Sequence, residues 1–425
     1  MKCHGNHSDA GEGKRMQTPT DFFKNNPAPV ALPDALRKFH KELPLAGDPQ
    51  NALLSLSDAH LTYLIAAIRN TPCKPPDLSP DDWHNFFTLL QPHWILPLMT
   101  FHVRTWPEEF RPPQKIMEYL DGIFLKATAR NLLAGRQILS VTDALKEAGI
   151  PVILLKGHAL ARTVYPEPTL RQSSDIDLLV QPRNIPAAEE VLEKLGYRCP
   201  AKIFHRSQYA SHHETFSPPG KGLPIELHWE ADDAYGLFPE GWLDDAFSRR
   251  ITISMNNFSC DTFCHADHLL YLTFHNVFHH WSMRLDWMYD ISLLMREIPT
   301  PHDWKVIGQQ SVVHHVRKSM EISLTAASLW TGCELPPGVG NFSSWPIPYE
   351  RELRLLKHSP KLQTSAFTRK YMVFQGRSGI HEKLRYGWRL IVPPASIMNE
   401  YRRSTSPADI PLAHLRRWFR IVKFR

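Results

Sequence analysis

Cysteines are few and scattered in this sequence, and long apolar runs are absent. The six cysteines form neither a disulfide framework nor the paired spacing of a zinc knuckle: Cys3, Cys73, Cys199, Cys260, Cys264 and Cys333. The first fifteen residues lack the apolar core of a signal peptide, and no run approaches the roughly 20 apolar residues of a membrane span. These absences exclude a disulfide scaffold and a membrane-spanning protein, and we expect a soluble protein of the reducing cytoplasm.

Neither sign of charge dominates, and internal repeats and low-complexity tracts are also absent. A net charge of +6, with 43% apolar and 22% charged residues, is ordinary for a globular protein. This balance is compatible with nucleic acid, nucleotides or an anionic membrane surface as partners and requires none of them. No stretch of interleaved basic and aromatic residues marks a nucleic-acid groove.

The most informative stretch is 151–180, PVILLKGHALARTVYPEPTLRQSSDIDLLV. The apolar residues 152–155 predict a buried strand. Lys156 and Gly157 end this strand in a turn, where glycine permits a positive φ or a close approach. Residues 158–164 can form about two helical turns before two prolines stop them. A polar loop and a second apolar strand follow.

The second strand carries Asp175 and Asp177, whose side chains lie on one face because side chains alternate along a strand. Two neighbouring carboxylates repel each other unless a cation lies between them, and Mg²⁺ is held by one or two carboxylates together with substrate phosphates. The alternative is a solvated strand entry. The helix start after the glycine turn, with Lys156 beside it, predicts a phosphate cradle. A cradle followed by paired carboxylates favours metal-assisted nucleotidyl or phosphoryl transfer.

Two short strands are predicted at 202–205 and 210–217, a turn at the Pro-Pro-Gly of 218–220, and a further strand at 224–229. A third acidic residue lies in this last strand. Glu226 and His228 share one face of this strand, and its apolar residues lie on the other. A carboxylate there would complete a metal site beside the aspartate pair. The alternative is a surface glutamate on an edge strand.

The helical pattern after residue 266 also contains polar side chains at helical spacing. His275 and His279 are four residues apart, a spacing that can bind zinc, but no third ligand is evident and we interpret them as core or pocket histidines. Arg284, Asp286 and Asp290 form either an internal ion pair or the polar lining of an acceptor pocket. The candidate acceptor-pocket residues are therefore His228, His275, Arg284, Asp286 and Asp290.

These motifs resemble the nucleotidyltransferase core of the DNA polymerase β superfamily, in which a glycine turn precedes an Asp-x-Asp strand. From about residue 80 onward, the chain is most similar to an uncharacterised bacterial family of nucleotidyltransferases. That family has a Lys-Gly turn, an arginine before the acidic pair, and a later acidic residue followed by Leu-His-Trp. The matching residues are Lys156, Gly157, Arg171, Asp175, Asp177 and 226–229. The chain departs from the wider superfamily in having His158 where a serine usually follows the glycine.

The resemblance implies an α+β fold, with a mixed sheet like that of polymerase β between N-terminal and C-terminal helical domains. It implies Mg²⁺ or Mn²⁺ as cofactor and an NTP, ATP above all, as co-substrate. The implied catalytic and metal-binding residues are Asp175, Asp177 and Glu226. The implied nucleotide-binding residues are Lys156, Gly157, His158, Arg171, Ser173 and Ser174.

Shifts of pattern along the chain predict five segments. They are a mobile, polar and Pro-rich leader at 1–49, a helical domain at 50–149, the nucleotidyltransferase core at 150–258, a helical domain on the acceptor and nucleobase side at 259–345, and a Pro-punctuated basic extension at 346–425. The last residues, AHLRRWFRIVKFR, predict a basic amphipathic helix. It could dock on the protein, contact an anionic membrane surface or bind RNA, and we favour docking.

Three functions fit these features. The first is Mg²⁺-dependent transfer of a nucleoside monophosphate from an NTP to a small molecule or a peptide natural product, with release of pyrophosphate. The second is the same reaction on tRNA or a protein side chain, as in toxin-like members of the superfamily. The third is a non-catalytic nucleotide sensor or scaffold, and the presence of all three acidic residues argues against it.

Overall fold

The computed structural model of this 425-residue chain describes residues 32–42, 50–199, 213–230, 241–255, 258–279, 284–335, 350–357 and 380–391, with the single positions 348, 371 and 374. The basic helix predicted at the C-terminus and a strand predicted at 202–205 lie outside these residues. No helix in the described ranges has both the length and the apolar character needed to cross a membrane.

Helices make up most of the described chain. In chain order α1 to α15 are Leu32–Glu42, Gln50–Leu54, Asp58–Arg69, Pro80–Leu90, Leu96–Val103, Gln114–Glu147, Lys156–Thr163, Ile185–Lys194, Trp242–Ser248, His265–Phe274, Leu285–Arg296, Pro301–Val313, Arg317–Thr331, Glu350–Lys357 and Ile380–Ile391. Helix α1 lies within the segment predicted as a mobile leader. Its Leu36 is fully buried, because an amphipathic helix gains stability by packing its apolar face on neighbours.

Six strands form one mixed sheet. The strands β1 to β6 are Val152–Leu154, Ile176–Val180, His213–Phe216, Ile225–His228, Ile251–Met255 and Phe258–Thr262. Their spatial order is β3-β4-β2-β1-β6-β5. Strand β2 runs antiparallel to β1 and parallel to β4, and β1 runs parallel to β6. The α+β class and the mixed sheet predicted from the sequence are therefore confirmed.

The long helix α6 connects the helical part of the molecule with the sheet. It is one continuous helix of 34 residues. Met117 and Leu120 near its start belong to the helical core, and Val141 and Leu145 near its end pack against the sheet. A helix that belongs to two cores fixes their relative position, so the sheet and the helices share one rigid element.

The helices before and after the sheet pack around one apolar cluster. This cluster contains Leu61 and Trp83 from the first helical segment and Leu294 and Trp330 from the second. Arg69 on α3 donates hydrogen bonds to the carbonyl oxygens of residues 329 and 330 on α13, at 2.6 and 3.3 Å. The sequence predicted these segments as parts of two helical domains, at 50–149 and 259–345, and residues of both belong to this one cluster.

A buried ion network joins the loop before β2 to helix α11. Arg171 places Nη2 2.8 Å from Asp290 Oδ2 and Nη1 3.0 Å from Asp286 Oδ2. The hydroxyl of Tyr165 donates to Asp290 Oδ1 at 2.7 Å, and Arg284 Nε donates to Asp286 Oδ1 at 3.0 Å. Two guanidinium groups therefore balance two carboxylates, which is the condition under which such charges can be buried.

We predict that Asp290→Ala lowers the free energy of unfolding by about 3–5 kcal/mol, because it leaves the Arg171 guanidinium buried beside a single remaining carboxylate. Urea unfolding followed by circular dichroism measures the change. The matched control is Asp121→Ala, which removes the exposed partner of Arg104 and should cost at most about 1 kcal/mol. Equal losses in the two variants would contradict the structural role given to the network.

A buried carboxyl group links α14 to α13. Glu352 is fully buried, and its Oε1 accepts hydrogen bonds from Ser319 N at 2.6 Å and Ser319 Oγ at 2.8 Å. Burial raises the pKa of Glu352 to about 7, although these hydrogen bonds act in the opposite direction. The folded state therefore binds a proton at Glu352 more readily than the unfolded state does.

It follows that stability is lost as the pH rises from the unfolded pKa of Glu352, near 4.5, through its folded value, about 7. The side chain of Glu352→Gln cannot ionise. The free energy of unfolding of this variant, relative to that of the wild type, should therefore rise by about 2–3 kcal/mol from pH 5 to pH 8. Urea unfolding at both pH values tests this. The exposed Glu147→Gln serves as control and should show no such rise. If the difference in free energy of unfolding between Glu352→Gln and the wild type is the same at both pH values, the raised pKa of Glu352 is disproved.

Candidate active site

Neighbouring strands bring two of the predicted carboxylates together. In the parallel pairing of β2 with β4, Asp177 lies directly opposite Glu226. The alternate residues Ile176 and Leu178 pack into the core between the sheet and helices α6 and α8, so both carboxylates lie on the other face. Asp177 is buried and Glu226 is half-buried. The sheet register therefore places two acidic groups side by side at a recessed position.

The third carboxylate, Asp175, lies in the bend just before β2 and is held by two serines. Ser173 Oγ donates to Asp175 Oδ1 at 3.1 Å, and Ser174 Oγ donates to Asp175 Oδ2 at 3.0 Å. Burial, with the charges of Asp177 and Glu226, raises the pKa of Asp175 to about 6. The two hydroxyls orient a carboxylate here, whereas the sequence had assigned them to the nucleotide.

Lys156 places a cation beside these carboxylates. Its Nζ is 2.7 Å from Asp177 Oδ1, and its backbone N–H donates to Nε2 of the buried His268 at 3.2 Å. Burial acts to lower the pKa of Lys156, but the Asp177 charge outweighs it and the net shift is upward. Burial likewise acts to raise the pKa of Asp177, but Lys156 and a hydrogen bond from His228 hold that pKa well below its usual range. The pair is charged.

The glycine of the turn allows a close approach, which is one of the two roles predicted for it. The positive φ of 50° belongs to Lys156, and Gly157 lies in the first turn of α7. A Cβ on Gly157 would lie 3.2 Å from Ser173 Oγ and 3.3 Å from Arg171 Nη1. Glycine is needed because the loop that carries Ser173 and leads to Asp175 passes directly over the helix start.

Two histidines complete the constellation. His228 is fully buried, with Nε2 2.9 Å from Asp177 Oδ1 and 3.4 Å from Glu226 Oε2. Because a carboxylate can only accept, Nε2 of His228 carries the proton in this contact. His213 on β3 is paired with His228 in the sheet, and its Nε2 is 3.8 Å from Glu226 Oε1. Sequence reasoning placed His228 in an acceptor pocket and missed His213.

The remaining predicted residues lie in the protein interior around this centre. Arg171 binds Asp286 and Asp290, so its guanidinium has carboxylate partners in place of the expected phosphates. His158 is buried, and burial together with nearby arginines lowers its pKa to about 3. It is neutral at physiological pH and brings no positive charge to a triphosphate.

The candidate acceptor residues after position 266 divide into two groups. Arg284 and Asp286 pair with each other, and Asp286 and Asp290 bind Arg171, so these residues form the internal ion pairs that the sequence left open as one alternative. His275 is buried, and its ring packs 6.0 Å from those of Tyr271 and Trp287. The structure therefore brings together Lys156, Asp175, Asp177, Glu226 and His228. The acceptor role of His275, Arg284, Asp286 and Asp290 stays a prediction.

The residues that sequence reasoning missed differ in how they could have been found. His213 belongs to a predicted strand, and a hairpin through the Pro-Pro-Gly turn would have placed it beside the strand of Glu226 and His228. His268 gives no local signal, because it reaches Lys156 from 112 residues further along the chain. Only the packing of α10 on the sheet shows this contact.

Comparisons with known proteins match the chain to one family model and to solved structures. A family model described as an uncharacterised nucleotidyltransferase matches residues 79–332. The solution structure of the antibiotic-resistance factor ANT(2'')-Ia is similar at 14% identity over 58% of this chain and 98% of its own, with a TM-score of 0.25. An antigenic nucleotidyltransferase-like protein from Paracoccidioides brasiliensis is similar at 15% identity over 49% of this chain and 93% of its own, with a TM-score of 0.32.

No curated protein matches the chain. The family model, however, covers more than half of it and spans all the residues of the centre described above. The chain therefore belongs to the uncharacterised nucleotidyltransferase family.

Proposed function

We propose that the protein transfers a nucleoside monophosphate from an NTP, with ATP as the favoured donor, to a small-molecule or peptide natural-product acceptor, and that it requires Mg²⁺ or Mn²⁺. The observation that carries this proposal is the convergence of Asp175, Asp177 and Glu226 beside Lys156. Nucleotidyl transfer in general follows from the family. The donor, the metal and the acceptor class are our inference.

The donor atoms of the centre fit a divalent cation. Three carboxylates lie close enough for Asp177 and Glu226 to raise the pKa of Asp175, and Lys156 supplies one compensating charge. Asp175 and Asp177 offer the oxygen ligands that Mg²⁺ prefers. A divalent ion bound there would neutralise phosphate charge and lower the pKa of an acceptor hydroxyl.

The residues of the chain have separate tasks in this reaction. The acceptor oxygen forms a bond to the α-phosphorus while the bond from that phosphorus to the bridging oxygen of the β-phosphate breaks, and pyrophosphate leaves. Glu226 can take the acceptor proton, because burial and the charge of Asp177 raise its pKa. Lys156 offsets negative charge beside the phosphates, and His228 holds Asp177 in position.

Burial of the centre supports a small acceptor. Asp177 is 3% exposed and His228 is fully buried, and Lys156 exposes only 12% of its side chain. An acceptor group must enter a recess to reach them, which a small molecule or a free chain end can do more easily than a folded surface.

We predict that Asp177→Asn lowers the rate of pyrophosphate release at least about a hundredfold, because it removes a charged metal ligand and weakens the contact with Lys156. The assay combines each NTP and Mg²⁺ or Mn²⁺ with fractionated cell extract, and follows pyrophosphate over time. The matched control is the exposed Asp143→Asn on α6, which should keep wild-type activity. Circular dichroism checks that both variants are folded.

The labelled product identifies the acceptor. Label from an α-³²P NTP in the small-molecule or peptide fraction supports the proposal, whereas label in RNA or in protein assigns a macromolecular acceptor and contradicts the acceptor class. NTP binding without pyrophosphate release from the wild type would indicate a sensor. Absence of NTP binding would overturn the nucleotide function.

A further inference from the structure

Strands β3 and β4 present three metal-binding side chains on one face of the sheet. His213 is paired directly with His228 across the antiparallel strands, and their rings lie 4.9 Å apart. Glu226 precedes His228 by two residues, so it projects from the same face. These positions follow from the sheet register, which is rigid compared with a loop, and they bring two imidazoles and one carboxylate together.

The spacing of these groups is close to that of a metal site. Glu226 Oε2 is 3.4 Å from His228 Nε2, and Glu226 Oε1 is 3.8 Å from His213 Nε2. One ligand atom from each residue can be chosen so that all lie within 4.8 Å of one another. Ligands of a tetrahedral ion with bonds of about 2.0–2.1 Å stand about 3.3 Å apart. Glu226 and His228 are already at this separation, and the three ligand atoms, which lie within 4.8 Å of one another, would have to draw closer around a bound ion.

The ligand types select the class of ion. Imidazole nitrogens suit zinc, cobalt and related transition metals, whereas Mg²⁺ prefers oxygen ligands alone. Two histidines and one glutamate, with a position left open, are a donor set that catalytic zinc sites use. Asp177 Oδ1, 2.9 Å from His228 Nε2, adds a carboxylate next to this set. We propose that His213, Glu226 and His228 bind one transition-metal ion, of the zinc or cobalt type, beside Asp177.

Metal binding by these residues changes the protonation of His228. Its Nε2 donates to Asp177 in the structure, and a metal-bound Nε2 must present its lone pair. The neutral ring keeps one proton, which moves from Nε2 to Nδ1, and Asp177 loses that hydrogen bond. Asp177 then has Lys156 and the cation as its partners.

The proposal distinguishes two cation positions in one centre. Asp175 and Asp177 supply oxygens only, and the set of His213, Glu226 and His228 supplies nitrogen. Binding of the transition metal is independent of nucleotidyl transfer. Only the assignment of this ion to the acceptor side of the reaction rests on the proposed function, and there Glu226 would act by holding the ion that activates the acceptor in place of acting as the free base.

The test is a titration of the full-length protein, freed of metal by a chelator, with Co²⁺ in the presence of excess Mg²⁺ and without nucleotide. Visible absorption reports the ligand environment of Co²⁺, and calorimetry with Zn²⁺ gives the affinity and the number of sites. We expect a Co²⁺ site that shows the strong absorption of low-coordinate nitrogen ligation and that Mg²⁺ does not displace.

His213→Gln should weaken binding at least about a hundredfold, since loss of even an outer-shell partner costs about 10–100-fold. The exposed His84→Gln is the matched control, because the chain has 23 histidines that could bind metal adventitiously, and it should bind as the wild type does. Glu226→Gln is a second ligand variant and should also weaken binding. Displacement by Mg²⁺, or equal binding by wild type and both ligand variants, would overturn the proposal.

Asp175→Asn separates this proposal from the proposed function. The variant should lose pyrophosphate release and keep the Co²⁺ spectrum, because Asp175 is not among the three ligands. Co²⁺ binding by a wild type that releases no pyrophosphate would refute the transferase proposal alone. Pyrophosphate release by a wild type that binds no Co²⁺ would refute the metal proposal alone.

Discussion

The carboxylate of Asp177 is the group on which the rest of the centre depends. It is buried in a strand, so its charge is tolerated only because Lys156 and His228 contact the same oxygen, at 2.7 and 2.9 Å. Each partner comes from a different element, the start of α7 and the end of β4. The turn at Lys156, the glycine that follows it and the β2–β4 register are all needed to bring these three groups together.

A second set of buried charges supports the first. Arg171 begins the loop that ends at Asp175, and its ion pairs with Asp286 and Asp290 attach this loop to α11. The helices that precede and follow the sheet in the chain share one core, which includes residues of α11, so the loop is attached to this core. Such fixed attachment suits a centre that must keep carboxylates in place despite their mutual repulsion.

Sequence reasoning predicted the strand–turn–helix–strand unit, the acidic residues and the fold class, because each leaves a local pattern. The alternation in β2 and β4 identified the faces of Asp177, Glu226 and His228, and the β2–β4 register placed those faces together. The family resemblance implied nucleotide binding by Arg171, Ser173 and Ser174, and that role stays a prediction, since a local pattern shows a polar side chain but not its partner. Their partners in the structure are carboxylates of this protein.

The sequence by itself determined the strand–turn–helix–strand unit and the chemical types at the centre, because hydrophobic periodicity and the order of acidic, basic and glycine residues are properties of neighbouring positions. Its resemblance to a known family implied the fold class and the reaction. Tertiary structure alone decided which charges neutralise one another. Arg171 meets Asp290 across 119 residues. Tertiary structure also decided that the backbone N–H of Lys156 donates to His268 across 112 residues. It also decided that His213 lies beside Glu226 and His228, because strand pairing is set by side-chain packing over the whole sheet.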